Sequence, residues 1–276
     1  MIELRQIPEI SAVYYALLQS GYDFYAVGKR LELVKQLEAF RGETESSFWK
    51  AARQNSCKTY PYWPRAALLE QAALCIVDGE LKPEYHSMVM DADNLMDEER
   101  DEVFWKWIVD FPSKLSAVME RDRFREYIVW EHAWMKAQEK GSEGMLRRLS
   151  ELLSKCKRVY DLSFDRISVV LSPIKCAYSA DYHWINDCLF CTVGALNSRS
   201  ILHECMHEAV HREVQDLKEE ILSKGMMRSD FDPSYCLNGD EQGRINAFEE
   251  RAVREIVERV LDGEIPDTWM VLTNLL

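Results

Sequence analysis

The hydrophobic pattern divides the chain in two. Up to about residue 160, apolar residues recur at three- and four-residue spacing with few β-branched runs, which predicts helices. They fall at about 8–19, 23–40, 64–78, 95–110, 113–138 and 143–157. Thr59-Tyr-Pro-Tyr-Trp-Pro64 predicts a non-helical connection, because each proline disfavours helix in the residue before it. Gly141 and Gly144 predict another break. The pattern changes near Asp161. Arg166-Ile-Ser-Val-Val-Leu-Ser172 is β-branched and stops at Pro173, so it reads as a strand, and a second short strand is expected at about 187–195, closed by Gly194. A long helix follows from about Ser198 to Lys224, with Asn197 or Ser198 as its cap and Gly225 as its end. Beyond a polar loop from Met226 to Gly243, a helix at about 244–261 carries a regular apolar stripe and stops at Asp262-Gly263, and an apolar segment closes the chain at 266–275. The expected fold class is mainly α (α+β), with a helical region at 1–160 and a second region at 161–276 that adds a small β-sheet and two long helices.

Composition narrows the function classes. The chain has 276 residues, 47% of them hydrophobic and 29% charged, which suits a globular protein with a real core. Its net charge is −13, from 47 Asp+Glu against 34 Lys+Arg. This argues against a general binder of nucleic acid or anionic membrane, which needs a dense basic surface. The opening MIELRQIPEI has no basic stretch leading into an apolar one, and the longest uncharged apolar run, Cys188 to Ser198, is too short to cross a bilayer. The expectation is a cytoplasmic chain with reduced thiols. The eight cysteines are scattered, and only Cys188-Leu-Phe-Cys191 forms a CxxC. With no second pair to complete a structural zinc site, these two are expected to be small core residues.

The chemistry concentrates in His203-Glu204-Cys205-Met206-His207, a HExxH sequence in the middle of the long helix. Histidines four apart share one helix face, so both imidazoles can reach one metal ion, while the glutamate lies beside them as a general base for water. At about 100° per residue, Leu202, Met206, Ala209, Val210 and Leu217 form the buried stripe and the two histidines lie at its edge. His211 extends the row, but it is too far along the axis from His203 to share an ion with both motif histidines, and is read as a surface or supporting residue. Val210 and Glu213 stand where the metzincin pattern needs glycine and histidine, which excludes that pattern. A third ligand is sought on the next helix, whose stripe is Ile245, Phe248, Ala252, Ile256 and Val260. Glu249 falls within that stripe and Glu250 at its margin. A carboxylate on an apolar face needs a cation or a partner, so Glu249 is the first candidate, with an arginine pairing as its competing explanation and Glu250 as the fallback ligand.

HExxH on one helix and a glutamate opening ExxA on a later one resemble the gluzincin type of zinc metallopeptidase, over roughly residues 165–262. The resemblance implies a minimal zincin-like domain, one zinc ion per chain held by His203, His207 and Glu249, and Glu204 as the general base of peptide hydrolysis. It also implies a substrate-pairing edge strand before the HExxH helix, at about Asp187 to Ala195. Many gluzincins have an aspartate four residues after the distal glutamate to orient a ligating histidine; this chain has Val253 there, so another group must do it. For the oxyanion that develops at the carbonyl, Tyr235 is the first candidate donor and His183 and Tyr182 are alternatives. The implied partner is a peptide or protein substrate, with no nucleic acid and no membrane. A non-catalytic zincin-fold binding protein is the rival expectation.

Overall fold

The computed structural model describes residues 2–22, 24–42, 47–56, 66–77, 79–82, 109–224 and 240–276. Its centre is a four-stranded sheet of β1 (Ile2–Arg5), β4 (Arg166–Leu171), β5 (Ala180–Ile185) and β6 (Cys188–Val193), in the spatial order β1-β4-β6-β5. β1, β4 and β6 run parallel, and β5 runs antiparallel to β6 at the edge. β4 is buried along almost its whole length, as a strand covered on both faces should be. β5 and β6 are joined through Asn186 and Asp187, with Asn186 in the left-handed region at φ 56°.

Helices cover both faces. On one lie α1 (Pro8–Gln19), α4 (Ala67–Leu74), α5 (Phe111–Met119) and the first turns of α6 (Asp122–Tyr160), packed on Val170, Ile174 and Ile185. On the other, the last turns of α6 join α7 (Ser198–Asp216), α8 (Lys218–Lys224), α9 (Asp240–Leu261) and α10 (Thr268–Leu275) over Ile167, Val169, Leu171, Leu189 and Val193. The alternation of Val169 and Val170 between the two cores is the two-residue period of a strand. The other described elements are α2 (Leu31–Glu38), α3 (Ser47–Ser56) and a small hairpin of β2 (Ile76–Val77) and β3 (Glu80–Leu81). Among the described residues, no helix is long and apolar enough to cross a membrane.

The mainly α architecture with a small mixed sheet is as expected, and several local expectations are corrected. The region 23–40 is not one helix: a short 3-10 turn at Phe24–Ala26 precedes α2, and Gly28 between them takes φ 73°. α4 ends at Leu74 and gives way to the β2–β3 hairpin. The break expected at Gly141 and Gly144 is absent; α6 runs through both for 39 residues, because its buried residues on either side, Met135 and Leu149, anchor it in the same core. The expected helix at 95–110 and connection at 59–64 lie outside the described residues, save at their margins. β1 and β5 were not expected. β1 lies within the region 1–160 yet pairs with β4 of the region 161–276, so the two regions share one sheet.

Candidate metal centre

The site is built where α7 crosses α9. Asn197 caps α7, its side-chain oxygen accepting from the Ser200 N–H at 2.7 Å, and the buried row Leu202, Met206 and Val210 presses the helix onto the sheet. The stripe Ile245, Phe248, Ala252, Ile256 and Val260 of α9 is buried as predicted. This packing points His203 and His207 at the middle of α9, where Glu249 and Glu250 lie, with their ring centroids 4.9 Å apart.

Three donors converge there. The Nε2 atoms of His203 and His207 are 3.3 Å apart, His203 Nε2 is 3.4 Å from Glu250 Oε2, and His207 Nε2 is 3.5 Å from Glu250 Oε1. Ligand atoms about 2.0–2.1 Å from a tetrahedral ion lie about 3.3–3.4 Å from one another; the two Nε2 atoms have that spacing, and each has a different oxygen of the Glu250 carboxylate at a similar distance. His203, His207 and Glu250 are the described group that could hold a metal ion. Two imidazoles and one carboxylate match the donor set of an open zinc site, in which the fourth position is free for water or substrate.

Glu249 sits elsewhere than expected. It is 6% exposed, within the apolar stripe, but its oxygens face the other nitrogens of the imidazoles. Oε1 is 2.8 Å from His207 Nδ1 and Oε2 is 2.9 Å from His211 Nδ1. A carboxylate can only accept, so both Nδ1–H groups donate to it, and His207 keeps its Nε2 lone pair for the site when neutral. Glu250, the fallback candidate, is therefore the carboxylate that lies against the two Nε2 atoms, while Glu249 accepts from the Nδ1 side of His207 and His211. Val253, where the resemblance would place an aspartate, is fully buried among apolar residues. The supporting place read for His211 is the one it occupies, on Glu249.

The electrostatics follow. Burial opposes the charged form of each group here. For Glu249 the hydrogen bonds from His207 and His211 outweigh it and lower the carboxyl pKa, and for Glu250 those from His203 and His207 do the same, holding it well below the usual carboxylate range. Without an ion, burial would lower the His207 pKa, but the hydrogen bonds and charges of Glu249 and Glu250 outweigh it and push it up to about 10.

Glu204 lies one residue after His203 and is 7% exposed. Among the described residues it makes no hydrogen bond or ion pair, and the thiols of Cys191 and Cys205 are raised by burial and then by its charge. A buried carboxylate without a partner carries a desolvation cost. Tyr235 lies outside the described residues. Its two alternatives face opposite ways from β5. The Tyr182 ring stacks on His207, with centroids 5.3 Å apart and planes at 19°. His183 points to the other core, where its Nε2 is 2.8 Å from Glu70 Oε2, so the alternation of the strand removes it from the centre.

In that core Glu70 also meets Lys175 at 3.0 Å and the Tyr14 hydroxyl, and Lys175 pairs with Asp181. Burial would raise the Glu70 carboxyl, but Lys175 and the hydrogen bonds from His183 and Tyr14 overrule it and keep Glu70 ionised. This network ties α1 and α4 to β5 directly behind Tyr182.

The edge strand is also corrected. The segment Asp187 to Ala195 forms β6, which is interior, flanked by β4 and β5; the edge strand beside α7 is β5. Between the β5 edge, the end of α6, the outer face of α7 and the start of α10 lies a cleft of about 750 Å³, into which His207 and His211 open. No known protein family, curated protein or solved structure matches this chain.

Proposed function

We propose that this chain is a zinc-dependent hydrolase of peptide bonds. The observation that carries the reading is the convergence of His203 Nε2, His207 Nε2 and the Glu250 carboxylate, the nitrogens 3.3 Å apart and facing Oε2 at 3.4 Å and Oε1 at 3.5 Å, at a HExxH sequence beside an open cleft. His203, His207 and Glu250 would hold the ion. A zinc ion there supplies Lewis acidity, polarising a carbonyl and making water more acidic. Glu249 fixes the His207 ring and directs its Nε2 lone pair into the site. Glu204 accepts a proton from the attacking water and returns it to the departing amine nitrogen, so no net proton is consumed at this carboxylate. Tyr182 covers one face of His207.

Elemental analysis of the purified protein tests the first half, with about one zinc per chain expected. Glu204→Gln tests the second. It should bind the same zinc while peptide cleavage falls by at least about 10²-fold, the usual contribution of a general base. A protein that takes up no zinc, or a Glu204→Gln variant that cleaves at the parent rate, overturns the reading.

A further inference from the structure

The cleft beside His207 has a chemical character of its own. Among the described residues, four carboxylates line it, on Asp161, Glu208, Glu213 and Asp267, against a single permanent cation, Arg212. Two of the four are incompletely satisfied. Glu208 Oε1 accepts from the backbone N–H of Ser163 at 2.7 Å and from its hydroxyl, but its Oε2 is buried and accepts no hydrogen bond from a described residue. Glu213 Oε2 is likewise buried without a hydrogen-bond partner among the described residues. Burial, followed by the charge of Asp267, raises the Glu213 carboxyl, with Arg212 pulling the other way. Both oxygens are shielded, so the pull on an incoming cation comes from the surplus of negative charge in the described lining rather than from direct exposure of these two atoms. Aromatic rings share the lining with these acids. Trp269 is 52% exposed and Tyr182 38%, and Trp184 shares the wall. Such faces accept the aliphatic stem and the delocalised charge of a guanidinium, or the stem and head of a lysine. An acidic occupant would meet like charge, and a purely apolar one would leave the carboxylates unpaired.

We propose that this cleft binds a basic side chain, arginine or lysine, of the peptide substrate, with Glu208 and Glu213 pairing its cation and Trp184, Trp269 and Tyr182 packing its stem. The proposal rests on the hydrolase reading of the same site and names its substrate class. The test uses the full-length Glu204→Gln chain, so that nothing is cleaved, and calorimetric titration with capped alanine-based peptides carrying arginine, norleucine or glutamate at one central position. The arginine peptide should bind about 10- to 100-fold more tightly than the norleucine peptide, the range expected of hydrogen bonds to a charged group, and the glutamate peptide most weakly. Adding Glu208→Gln and Glu213→Gln should remove the advantage of arginine and leave the norleucine affinity within about twofold, with circular dichroism confirming the fold. Equal binding of arginine and norleucine, an advantage that survives both substitutions, or no binding of any peptide overturns the proposal. Zinc analysis of the same samples separates the two readings, since a zinc-free chain that still prefers arginine refutes the hydrolase while sparing the cleft.

Discussion

Glu249 and Glu250 are adjacent residues of the same type with different places at the centre, and replacing each in turn with glutamine separates them. Glu249 accepts two Nδ1–H groups at 2.8 and 2.9 Å in a nearly dry setting. The Glu249→Gln amide keeps one acceptor oxygen and turns a donor toward the second imidazole, so one charge-assisted bond is lost. Such a bond is worth about 1.5–3 kcal/mol, or roughly 10- to 150-fold in an equilibrium constant. Loss of an outer partner of a ligating histidine costs about 10- to 100-fold in metal affinity, which agrees. Glu249→Gln should therefore bind about one zinc per chain at saturation, with a dissociation constant raised by about 10- to 100-fold. Glu250→Gln removes the anionic donor of the site and should lose stoichiometric zinc altogether. Competition with a chromophoric chelator gives both affinities, and elemental analysis after dialysis gives the stoichiometry. If Glu249→Gln is stripped of zinc while Glu250→Gln retains it, the two assignments are reversed; if both bind as the parent does, α9 takes no part in holding the ion.

Three further predictions test the scaffold. Gly141 lies inside α6 with open space where a Cβ would go, so Gly141→Ala should stabilise by about 0.5–1 kcal/mol in chemical denaturation; a destabilised variant would mean that the helix breaks there. Gly194 follows β6 with its Cβ position against the Cys176 carbonyl, backbone against backbone, so Gly194→Ala should cost about 1–3 kcal/mol or prevent folding, and parent-like stability would contradict this close approach. Lys29 donates to the backbone carbonyls of Ser172 and Gly194, and burial pushes its amine down to about 7 from the ordinary 10.5. Between those values the unfolded chain holds a proton that the folded chain has lost, so this group makes stability rise with pH, by up to about 1.4 kcal/mol per unit. Below about 7 both states carry the charge and the slope vanishes. Lys29→Met should remove that rise from urea midpoints measured between neutral and alkaline pH with a chelator present, and an unaltered slope counts against a depressed Lys29.

Much of the second half was legible from spacing. The strand at Arg166, the strand at 187–195, the cap at Asn197 and the buried stripes of α7 and α9 all appear where local periodicity placed them. Local pattern failed where pairing is non-local or where packing overrides a propensity. Ile2–Arg5 is four residues of ordinary composition and becomes a strand only because β4 offers it a partner. Ala180–Ile185 alternates weakly and becomes the edge strand only because β6 turns back along it. Gly141 and Gly144 each weaken a helix by about 1 kcal/mol, which the buried residues flanking them outweigh.

By itself the sequence determined that two histidines share one helix face with a glutamate between them, since four residues of α-helix settle that locally. It also determined that the next helix presents a carboxylate to its apolar face. Which of two adjacent carboxylates meets which nitrogen was decided by how α7 and α9 cross. That angle and depth follow from the packing of both helices on the sheet, and they bring the more exposed Glu250 to the Nε2 atoms and the buried Glu249 to the Nδ1 atoms. The acidic, aromatic cleft is likewise tertiary. Its walls come from α6, β5, α7 and α10, which are far apart in the chain and meet only because one sheet gathers them.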